Sequence, residues 1–582
     1  MGQPSPMYGS VIALSRRDVG IDAEPAGWEE VARVTSELPL EATCAMLSAV
    51  AQIAAPPHFV EGQNDLLSMV EPAAVRPEMA RQLSSQSRVL VHPSQVMAAW
   101  RELAFRGNAQ IRESCPDAVS RSVLWQWLMM ITEALARDEI DRHHPSEHAE
   151  LTEDSILSLA CTASHLVARD WPHLLLARHF HLLDATLARG DVSASSNYID
   201  IPAEVKCYTG LDWRLLLAVG AICANPGLNS REPNWLRRPW TFDPTRASPP
   251  FGDPAKVQAA IDYLSCDLDW LRRRHEELCI ERAWPVDPLP FQEKPVLRLP
   301  SGRYCPLAPQ FVAERVTTGV YHVLFNVWKE RCSRPDNRFT TFWGELMHSY
   351  VDSLFEAVFR PSGLTKRVWF DQEVEYQNKH SGNRLPPDVM VDCGDTLVFF
   401  EFTTSRFTRD SLVRGDSAKV GDDVAKALRD KAGQLCSRIE EFRSGQFRIG
   451  TLKASAFKRF LAVVVVWTDV PISAPILGKG QSDAIRPGVI SSNQPIRRLC
   501  ALRLGELEGL LAAVHNGEAL VAALGDGRWD SMGECFQVFR QRIGQPIEPG
   551  QHPVLNGAHE RFIHTLESLL FGCDSRQGTR PC

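Results

Sequence analysis

Short motifs that mark several common chemistries are missing from this sequence of 582 residues. It contains no G-x-x-x-x-G-K-[ST] phosphate-binding loop, no H-E-x-x-H zinc pair and no G-x-S-x-G nucleophile turn. The sequence therefore gives no support to nucleotide hydrolysis at such a loop, to a zinc site of that kind or to acyl transfer from a serine.

Close cysteine pairs and long apolar runs are missing as well. The fifteen cysteines are scattered from Cys44 to Cys582 without any C-x-x-C spacing, which disfavours structural zinc and favours reduced, buried thiols. The longest apolar runs, 215–224 and 461–467, fall short of the about 18 residues that span a membrane. The first residues lack the basic start and apolar core of a signal peptide. We therefore expect a cytoplasmic protein that does not enter a membrane.

The first half of the chain has apolar residues at helical spacing. Segments 28–55, 94–107 and 122–139 are examples. Residues 225–254, rich in Pro, Arg and Trp, predict a long loop or an inter-domain connection. We expect an all-α region over residues 1–285 that regulates the protein, binds a partner or selects a substrate.

From about residue 286 the pattern becomes mixed. Residues 286–339 predict a hairpin and a helix that lead into a core over 340–475, and 476–582 add a strand and helices that complete or cover it. The core signals run in the order helix, strand, strand, strand, helix, strand, with strands at 367–376, 387–393, 396–404 and 459–467. We predict a mixed α/β fold, in which the helical region is followed by an α/β/α core with a mixed central sheet.

Two acidic residues stand in the most strand-like stretch, PPDVMVDCGDTLVFFEFTTSR, residues 386–406. If Gly394 and Asp395 form a two-residue hairpin turn, Asp388 lies directly opposite Glu401. Their Cβ atoms would then be about 4.5–5.5 Å apart. A register shift of one residue would separate them. Two carboxylates at this distance repel each other unless a cation lies between them.

Carboxylate oxygens on rigid strands suit Mg²⁺ or Mn²⁺. Such an ion positions water and stabilises the charge that develops on a phosphodiester during hydrolysis. The pair therefore predicts a metal-dependent phosphodiesterase. The alternative is that Asp388 caps the start of its strand while Glu401 pairs with a neighbouring arginine.

Pro387-Asp388, twelve intervening residues and Glu401-Phe402-Thr403 resemble the motif of the PD-(D/E)XK, or restriction-endonuclease-like, nuclease superfamily. That motif has Pro-Asp at the end of one strand and Glu-x-Lys on the next, and the order of elements over about residues 335–475 is similar too. The resemblance implies a restriction-endonuclease-like core. It also implies that the two acids and the carbonyl of Phe402 bind Mg²⁺ or Mn²⁺.

Thr403 stands where the motif has its lysine. In the superfamily this lysine orients the attacking water and offsets the charge of the transition state. Thr403 shares a strand face with Glu401, so its hydroxyl points the same way without the charge. Lys431 and Gln434 share a face of the next predicted helix, and the resemblance implies that they supply a displaced lysine and glutamine. The alternative for both is a solvated helix face.

The helix before the strands, residues 339–359, departs from the motif as well. Relatives often place a metal-binding glutamate there, and alignment on Gly344 puts His348 at that position. Glu345 is the nearest acid, so both residues are candidate metal ligands. Glu345 lies opposite the apolar stripe and is expected in solvent, whereas His348 lies at the edge of the stripe and is expected to point toward the sheet.

Charge in the predicted core is compatible with a polyanionic partner. Although the net charge of the chain is −8, residues 403–460 contain thirteen Lys and Arg against seven Asp and Glu. A basic patch beside an acidic metal site is what a phosphodiesterase needs to hold a nucleic-acid backbone. A solvated helix face is again the alternative.

We therefore expect a metal-dependent nuclease that acts on nucleic acid, with DNA as the first expectation and RNA as the second. By analogy of domain architecture we associate it with prokaryotic defence or mobile-element biology. The alternative is a nuclease-like module that has lost catalysis and binds nucleic acid or acts as a scaffold. The absent lysine at Thr403 and the histidine at His348 keep that alternative open.

Overall fold

A computed structural model of the chain describes most of its residues. These are 12–19, 21, 23–53, 66–67, 76–84, 88–107, 121–143, 157–158, 161–162, 170, 172–224, 241–244, 253–279, 287–331, 338–360, 367–376, 386–467, 470–471, 476, 479–480, 500–514, 517–524 and 552–571. Most of the connection predicted over residues 225–254 lies outside the described residues.

The N-terminal part is mainly helical, but the prediction of an all-α region over residues 1–285 was wrong, because short paired strands lie within it. Its helices are α1 (Trp28–Glu37), α2 (Leu40–Ile53), α3 (Arg76–Ser84), α4 (Pro93–Arg106) and α5 (Arg121–His143), and its short strands β1 (Ile12–Ala13) and β2 (Arg88–Val89) pair in parallel. The helical stretch at residues 28–55 is divided near Pro39. Leu38 is extended, because a following proline disfavours helical geometry.

A second group of helices and a small sheet come next. They are α6 (Pro172–His181), α7 (Gly190–Ser193), α8 (Ile201–Thr209), α9 (Trp213–Ala224), α10 (Pro254–Leu264), β3 (Ser265–Cys266), α11 (Leu268–Cys279), α12 (Leu289–Glu293), β4 (Val296–Arg298), β5 (Tyr304–Pro306), α13 (Pro309–Val316) and α14 (Thr318–Arg331). The predicted hairpin is β4–β5, which pairs antiparallel, and β3 adds a parallel edge. Within the described residues no single helix is long and apolar enough to cross a membrane. Only α8 and α9 taken together meet that test, and a bend of 69° separates them.

The remaining elements build a mixed sheet with helices on both faces. They are α15 (Arg338–Phe359), β6 (Val368–Phe370), β7 (Val374–Tyr376), β8 (Val389–Asp392), β9 (Thr396–Thr403), α16 (Ser417–Val424), α17 (Asp430–Arg443), β10 (Phe447–Ile449), β11 (Arg459–Val466), β12 (Cys500–Arg503), α18 (Leu504–Ala513), α19 (Gly517–Leu524) and α20 (Pro553–Phe571). The five-stranded sheet has the order β12-β11-β9-β8-β6. Strands β9, β11 and β12 are parallel, and β6, β8 and β9 are antiparallel. The predicted mixed α/β class is confirmed.

One predicted strand, at residues 367–376, is two strands in the structure. A 3₁₀ turn at Asp371–Glu373 separates β6 from β7. As a result β6 joins the main sheet, whereas β7 pairs with β10 in a separate antiparallel ribbon. The single-strand prediction was wrong, because the apolar and β-branched spacing continues through the turn.

Strand β9 is buried along its whole length because helices cover both faces of the sheet. Successive side chains point to opposite faces. Val398, Phe400 and Phe402 pack in the hydrophobic cluster of α15, whereas Leu397 and Phe399 pack in that of α16 and α17. Alternation therefore places Glu401 on the α17 side of the sheet.

The cluster that contains α15 also includes apolar residues of α6–α10, α13 and α14. Another cluster joins residues between 14 and 135 to residues between 266 and 311. Helices from the first half of the chain are thus packed directly against the helix that precedes the strands. The domain boundaries stated above stay a prediction.

A buried ionic network anchors α15. Arg178 of α6 donates to Glu508 of α18 through Nε and Nη2 at 2.6 Å each, and to Asp170 through Nη1 at 2.8 Å. The hydroxyl of Tyr350 on α15 donates to Glu508 at 2.6 Å. Buried charges persist only when their partners satisfy them. The network therefore holds α15 in one position and, with it, His348, two residues before Tyr350.

Candidate metal-binding and catalytic site

The hairpin that carries the two acids has the predicted register. Val389 pairs with Phe400 in the antiparallel ladder of β8 and β9. Gly394 in the turn has φ +87°, a left-handed conformation that glycine adopts without steric cost. Continued by one residue, this register places Asp388, just before β8, opposite Glu401. The register prediction is confirmed.

Asp388 immediately precedes β8 and lies beside the edge of β9. The backbone N–H of Phe402 donates to Asp388 Oδ2 at 2.5 Å. The N–H and C=O of one strand residue point to the same edge, so the Phe402 carbonyl also faces the Asp388 side. His348 Nδ1 lies 3.5 Å from Asp388 Oδ1, and its ring meets that of Phe402 edge-on at 5.9 Å between centroids. Helix α15 and the hairpin therefore meet at Asp388.

Lys431 reaches the site from the opposite face. Its Nζ donates to Glu401 Oε1 at 2.8 Å, and the side chains of Lys431 and Glu401 are 25% and 11% exposed. Gln434, one helical turn further along α17, is exposed. Thr403 is buried, and its hydroxyl accepts a hydrogen bond from the Ser405 N–H at 3.1 Å. Lys431, and not Thr403, is thus the side chain that contacts Glu401.

Burial and mutual repulsion perturb both carboxylates. Burial raises the pKa of Asp388 to about 7, with Asp371 adding to the rise while the Phe402 N–H and Lys431 oppose it. Burial likewise raises the pKa of Glu401 to about 7; Asp388 adds to this, and Lys431 opposes it. Burial lowers the pKa of His348, so its imidazole is neutral at pH 7. The Lys431 ammonium is thus the cation in contact with the pair, and its charge opposes the rise of both pKa values without cancelling it.

Two further acids, which the sequence analysis did not identify, lie close to the site. The backbone N–H of Asp371, in the turn after β6, donates to the Asp388 carbonyl at 3.2 Å. Asp352 lies one turn after His348 on α15, and its pKa is raised to about 8 by burial and by the charges of Asp371 and Asp388. The spacing of four residues from His348 was the available signal for Asp352. No sequence signal indicated Asp371, because its position depends on the 3₁₀ turn that ends β6.

Glu345 is directed elsewhere. Its carboxylate accepts hydrogen bonds from Ser195 Oγ at 2.5 Å and from Asn197 Nδ2 at 2.8 Å. The expectation that Glu345 faces solvent was wrong, since the segment after α7 covers this side of α15 and leaves Glu345 half-buried. Its assignment as a metal ligand stays a prediction. His348, one turn further along, is the α15 side chain that faces Asp388.

The oxygens at the site are of the type that Mg²⁺ and Mn²⁺ prefer. They comprise the carboxylates of Asp388 and Glu401 and the carbonyl of Phe402, and such ions commonly complete their shell with water. Among the described residues, no group of three or more His, Cys, Asp or Glu side chains is arranged to hold a metal. A bound ion would therefore depend on two carboxylates, a backbone oxygen and solvent. The raised pKa values of the two acids fit a pair built around an additional positive charge.

Comparisons of this chain with protein-family models, with curated proteins and with solved structures find no match. The functional conclusion therefore depends on the geometry of the site.

Proposed function

We propose that the chain is a metal-dependent nuclease with a PD-(D/E)XK-like core, formed by α15, β6, β8, β9, α17 and β11. The observation that carries this proposal is the 2.8 Å contact between Lys431 and Glu401. It brings an ammonium group to the acid pair that the β8–β9 register creates, at a site where Thr403 replaces the lysine of the motif. The restriction-endonuclease-like core is part of the proposal and goes beyond the mixed sheet described above.

Each residue has a distinct task in this proposal. Asp388, Glu401 and the Phe402 carbonyl would bind Mg²⁺ or Mn²⁺, which supplies Lewis-acid stabilisation to a phosphodiester. The Lys431 ammonium, held by Glu401, donates a proton in a hydrogen bond to the attacking water or to a phosphate oxygen and offsets developing negative charge. His348 contacts Asp388 and orients that carboxylate.

Nucleic acid, with DNA first, is the substrate we propose. Lys419 on α16, Lys426 on the π-helical segment Ala425–Arg429 and Arg443 on α17 are exposed. These helices lie on the side of the sheet from which Lys431 reaches Glu401. Cations beside an acidic centre hold the phosphate backbone on either side of the scissile bond. Prokaryotic defence or mobile-element biology stays a proposal by analogy, and the helical region is our candidate for partner binding or regulation.

Cleavage assays with purified protein test the proposal. Linear DNA, circular DNA and RNA are incubated with Mn²⁺, Mg²⁺ or EDTA, using the unaltered chain, Asp388→Ala and Glu401→Ala. Glu375→Ala is the matched control, because Glu375 is an exposed acid on β7 in the separate ribbon. We expect metal-dependent cleavage that both site variants abolish and the control retains.

Two outcomes would contradict this reading in different ways. Cleavage that survives both Asp388→Ala and Glu401→Ala would show that the active site lies elsewhere. Binding of nucleic acid without cleavage under any metal would favour a module that has lost catalysis, as the threonine at position 403 suggests.

A further inference from the structure

A cleft of about 780 Å³ lies between the helical region and the segment that follows β9. Its walls include Gln310 and Arg315 of α13, His322 of α14, and Arg406 and Arg409 beyond β9. The volume is within the range of pockets that hold small molecules and cofactors. The acid pair and its lysine are not among the lining residues, so the cleft is distinct from the candidate catalytic site.

Aromatic rings hold two of the cations on its walls. The guanidinium carbon of Arg406 lies 4.0 Å from the ring centroid of Tyr321 and 4.9 Å from that of Trp467. That of Arg315 lies 4.7 Å from Tyr263, and within the described part of the chain Arg315 forms no ion pair. A guanidinium stacked on a ring keeps its N–H groups in the ring-parallel plane, where they bind phosphate in pairs.

Lys294 adds another cation near Arg315. Its Nζ donates to the carbonyls of Asp262 and Tyr263 at 3.1 Å and 2.7 Å. Burial lowers the pKa of Lys294, and the charge of Arg315 lowers it further. Two cations that repel each other on one wall favour an anion between them.

Carboxylates also line the cleft, and the more buried of them are engaged. Asp287, 2% exposed, pairs with Arg409, and Glu293 accepts from Arg274 at 2.6 Å and 2.7 Å. Asp170, a third acid, pairs with Arg178 at 2.8 Å in the buried network of α6. Glu330 is exposed. Glu314 also lines the cleft and accepts hydrogen bonds from Gln310 at 3.0 Å and from Gln292 at 3.3 Å. Outside the pairs made by Asp287, Glu293 and Asp170, the lining carries Lys294, Arg315 and Arg406 against Glu314 and Glu330, so the remaining charge is positive.

Polar acceptors stand beside these cations. Gln310 is 5% exposed and donates through Nε2 to Glu314 at 3.0 Å, while its Oε1 has no hydrogen-bond partner among the described residues. A buried acceptor left unpaired costs about 1–3 kcal/mol. A ligand with both phosphate oxygens and N–H donors matches this combination. Trp270, which is half-buried, supplies an aromatic wall for a base.

The cleft is lined in part by the segment that connects the strand of Glu401 to the helices before Lys431. Residues 404–414 begin directly after the strand of Glu401 and lead to the helices that carry Lys431. Asp423, 3% exposed, accepts a hydrogen bond from the Thr408 N–H at 2.6 Å and so ties this segment to α16. A ligand bound to Arg406 would therefore act on a segment joined to both Glu401 and Lys431.

We propose that this cleft is a regulatory site for a phosphate-bearing ligand of nucleotide size. Arg315 and Arg406 bind its phosphates, the aromatic wall holds its base, and binding stabilises residues 404–414. Ligand binding here is a property of the cleft alone and does not depend on the nuclease proposal.

Calorimetric titration of the full chain tests the binding. The probes are inorganic phosphate, pyrophosphate, ADP, ATP and a 5′-phosphorylated hexanucleotide, all in EDTA, so that the result is independent of a metal at the acid pair. We expect the nucleotides to bind and Arg315→Gln to weaken them by about tenfold or more, the loss of one charge-assisted hydrogen bond. Arg273→Gln, an exposed arginine on α11 outside the cleft, should leave the affinity unchanged.

His322→Glu provides a second variant that does not risk the fold. His322 is exposed and its Nε2 lies 2.6 Å from Arg406 Nη1, so a carboxylate there should repel phosphate and weaken binding. The proposal is overturned if none of the probes binds. Equal affinity of the unaltered chain and both cleft variants for the nucleotides would overturn it as well. Binding of the hexanucleotide alone overturns the regulatory ligand and assigns the cleft to a nucleic-acid strand.

Hydrogen exchange tests the second part of the proposal. Saturating nucleotide should slow amide exchange in residues 404–414, since their side chains contact the ligand. Unchanged exchange in that segment, with binding intact, would refute the communication to the candidate site.

Discussion

Replacing Asp388 with asparagine should make the protein more stable at alkaline pH. The asparagine carbonyl can still accept the hydrogen bond of the Phe402 N–H, but the negative charge is lost. In the unaltered protein the pKa of Asp388 is raised to about 7, against about 3.9 for an exposed aspartate. Between these values the folded state binds a proton that the unfolded state has released. Folding stability therefore falls as pH rises from about 4 to about 7 and stays low above that.

The size of the effect follows from the shift and from what asparagine loses. A difference of about three pKa units corresponds to about 4 kcal/mol at pH values above both, since one unit is about 1.36 kcal/mol. Asparagine forfeits the attraction of Lys431 and part of the strength of the Phe402 hydrogen bond. We therefore expect Asp388→Asn to add roughly 1–3 kcal/mol at about pH 8, with the gain vanishing toward about pH 4.

Urea denaturation in EDTA, followed by tryptophan fluorescence at both pH values, measures the difference. Glu401→Gln should behave in the same direction, because burial raises the pKa of Glu401 as well. Glu375→Gln, at an exposed position, serves as the control and should change nothing. Lower stability of Asp388→Asn at about pH 8, or an equal gain at both pH values, would refute the reasoning.

Metal ions extend the same experiment. Mn²⁺ should stabilise the unaltered protein at about pH 8, because a ligand that binds only the folded state adds RT ln(1 + [L]/Kd). Asp388→Asn should lose most of that gain, since it removes one of two carboxylate ligands. Equal stabilisation of both proteins by Mn²⁺ would place the ion away from Asp388.

Further predictions concern the lysine, the buried network and the turn. Lys431→Met should lower single-turnover cleavage by about 100-fold or more, with Lys431→Arg retaining part of the rate; unchanged rates would remove Lys431 from the site. Arg178→Met leaves two buried carboxylates without their cation and should destabilise the fold by about 3–5 kcal/mol in urea, whereas a loss below about 1 kcal/mol would contradict the network. Gly394→Ala should cost about 1–2 kcal/mol because of its positive φ. Gly344→Ala, in a helix with open space for the new methyl group, should be neutral or stabilising by up to about 1 kcal/mol. A lower melting temperature for Gly344→Ala than for Gly394→Ala would contradict both backbone assignments.

Features of the fold that depend on neighbouring residues could be predicted from the sequence. The period of two in residues 386–406 and the glycine in the turn determine which side chains face each other, so the opposition of Asp388 and Glu401 followed from local rules. The helical stripe of 339–359 similarly directed His348 toward the sheet. Each of these results needs only the geometry of one strand pair or one helix.

Other features depend on how distant elements pack. Lys431 contacts Glu401 thirty residues earlier in the chain, and only the position of α17 on the sheet decides this; the sequence left a solvated face open. Glu345 was expected in solvent, yet residues 195–197 cover it, because α7 packs on α15 through contacts that no local pattern contains.

The amino-acid sequence by itself thus determined the acid pair, since strand alternation and turn geometry are short-range constraints. The tertiary structure decided which cation accompanies that pair, how deeply both acids are buried and therefore how far their pKa values rise. The physical reason is that burial and charge pairing depend on apolar faces meeting across long separations in the chain, and the final packing alone sets those contacts.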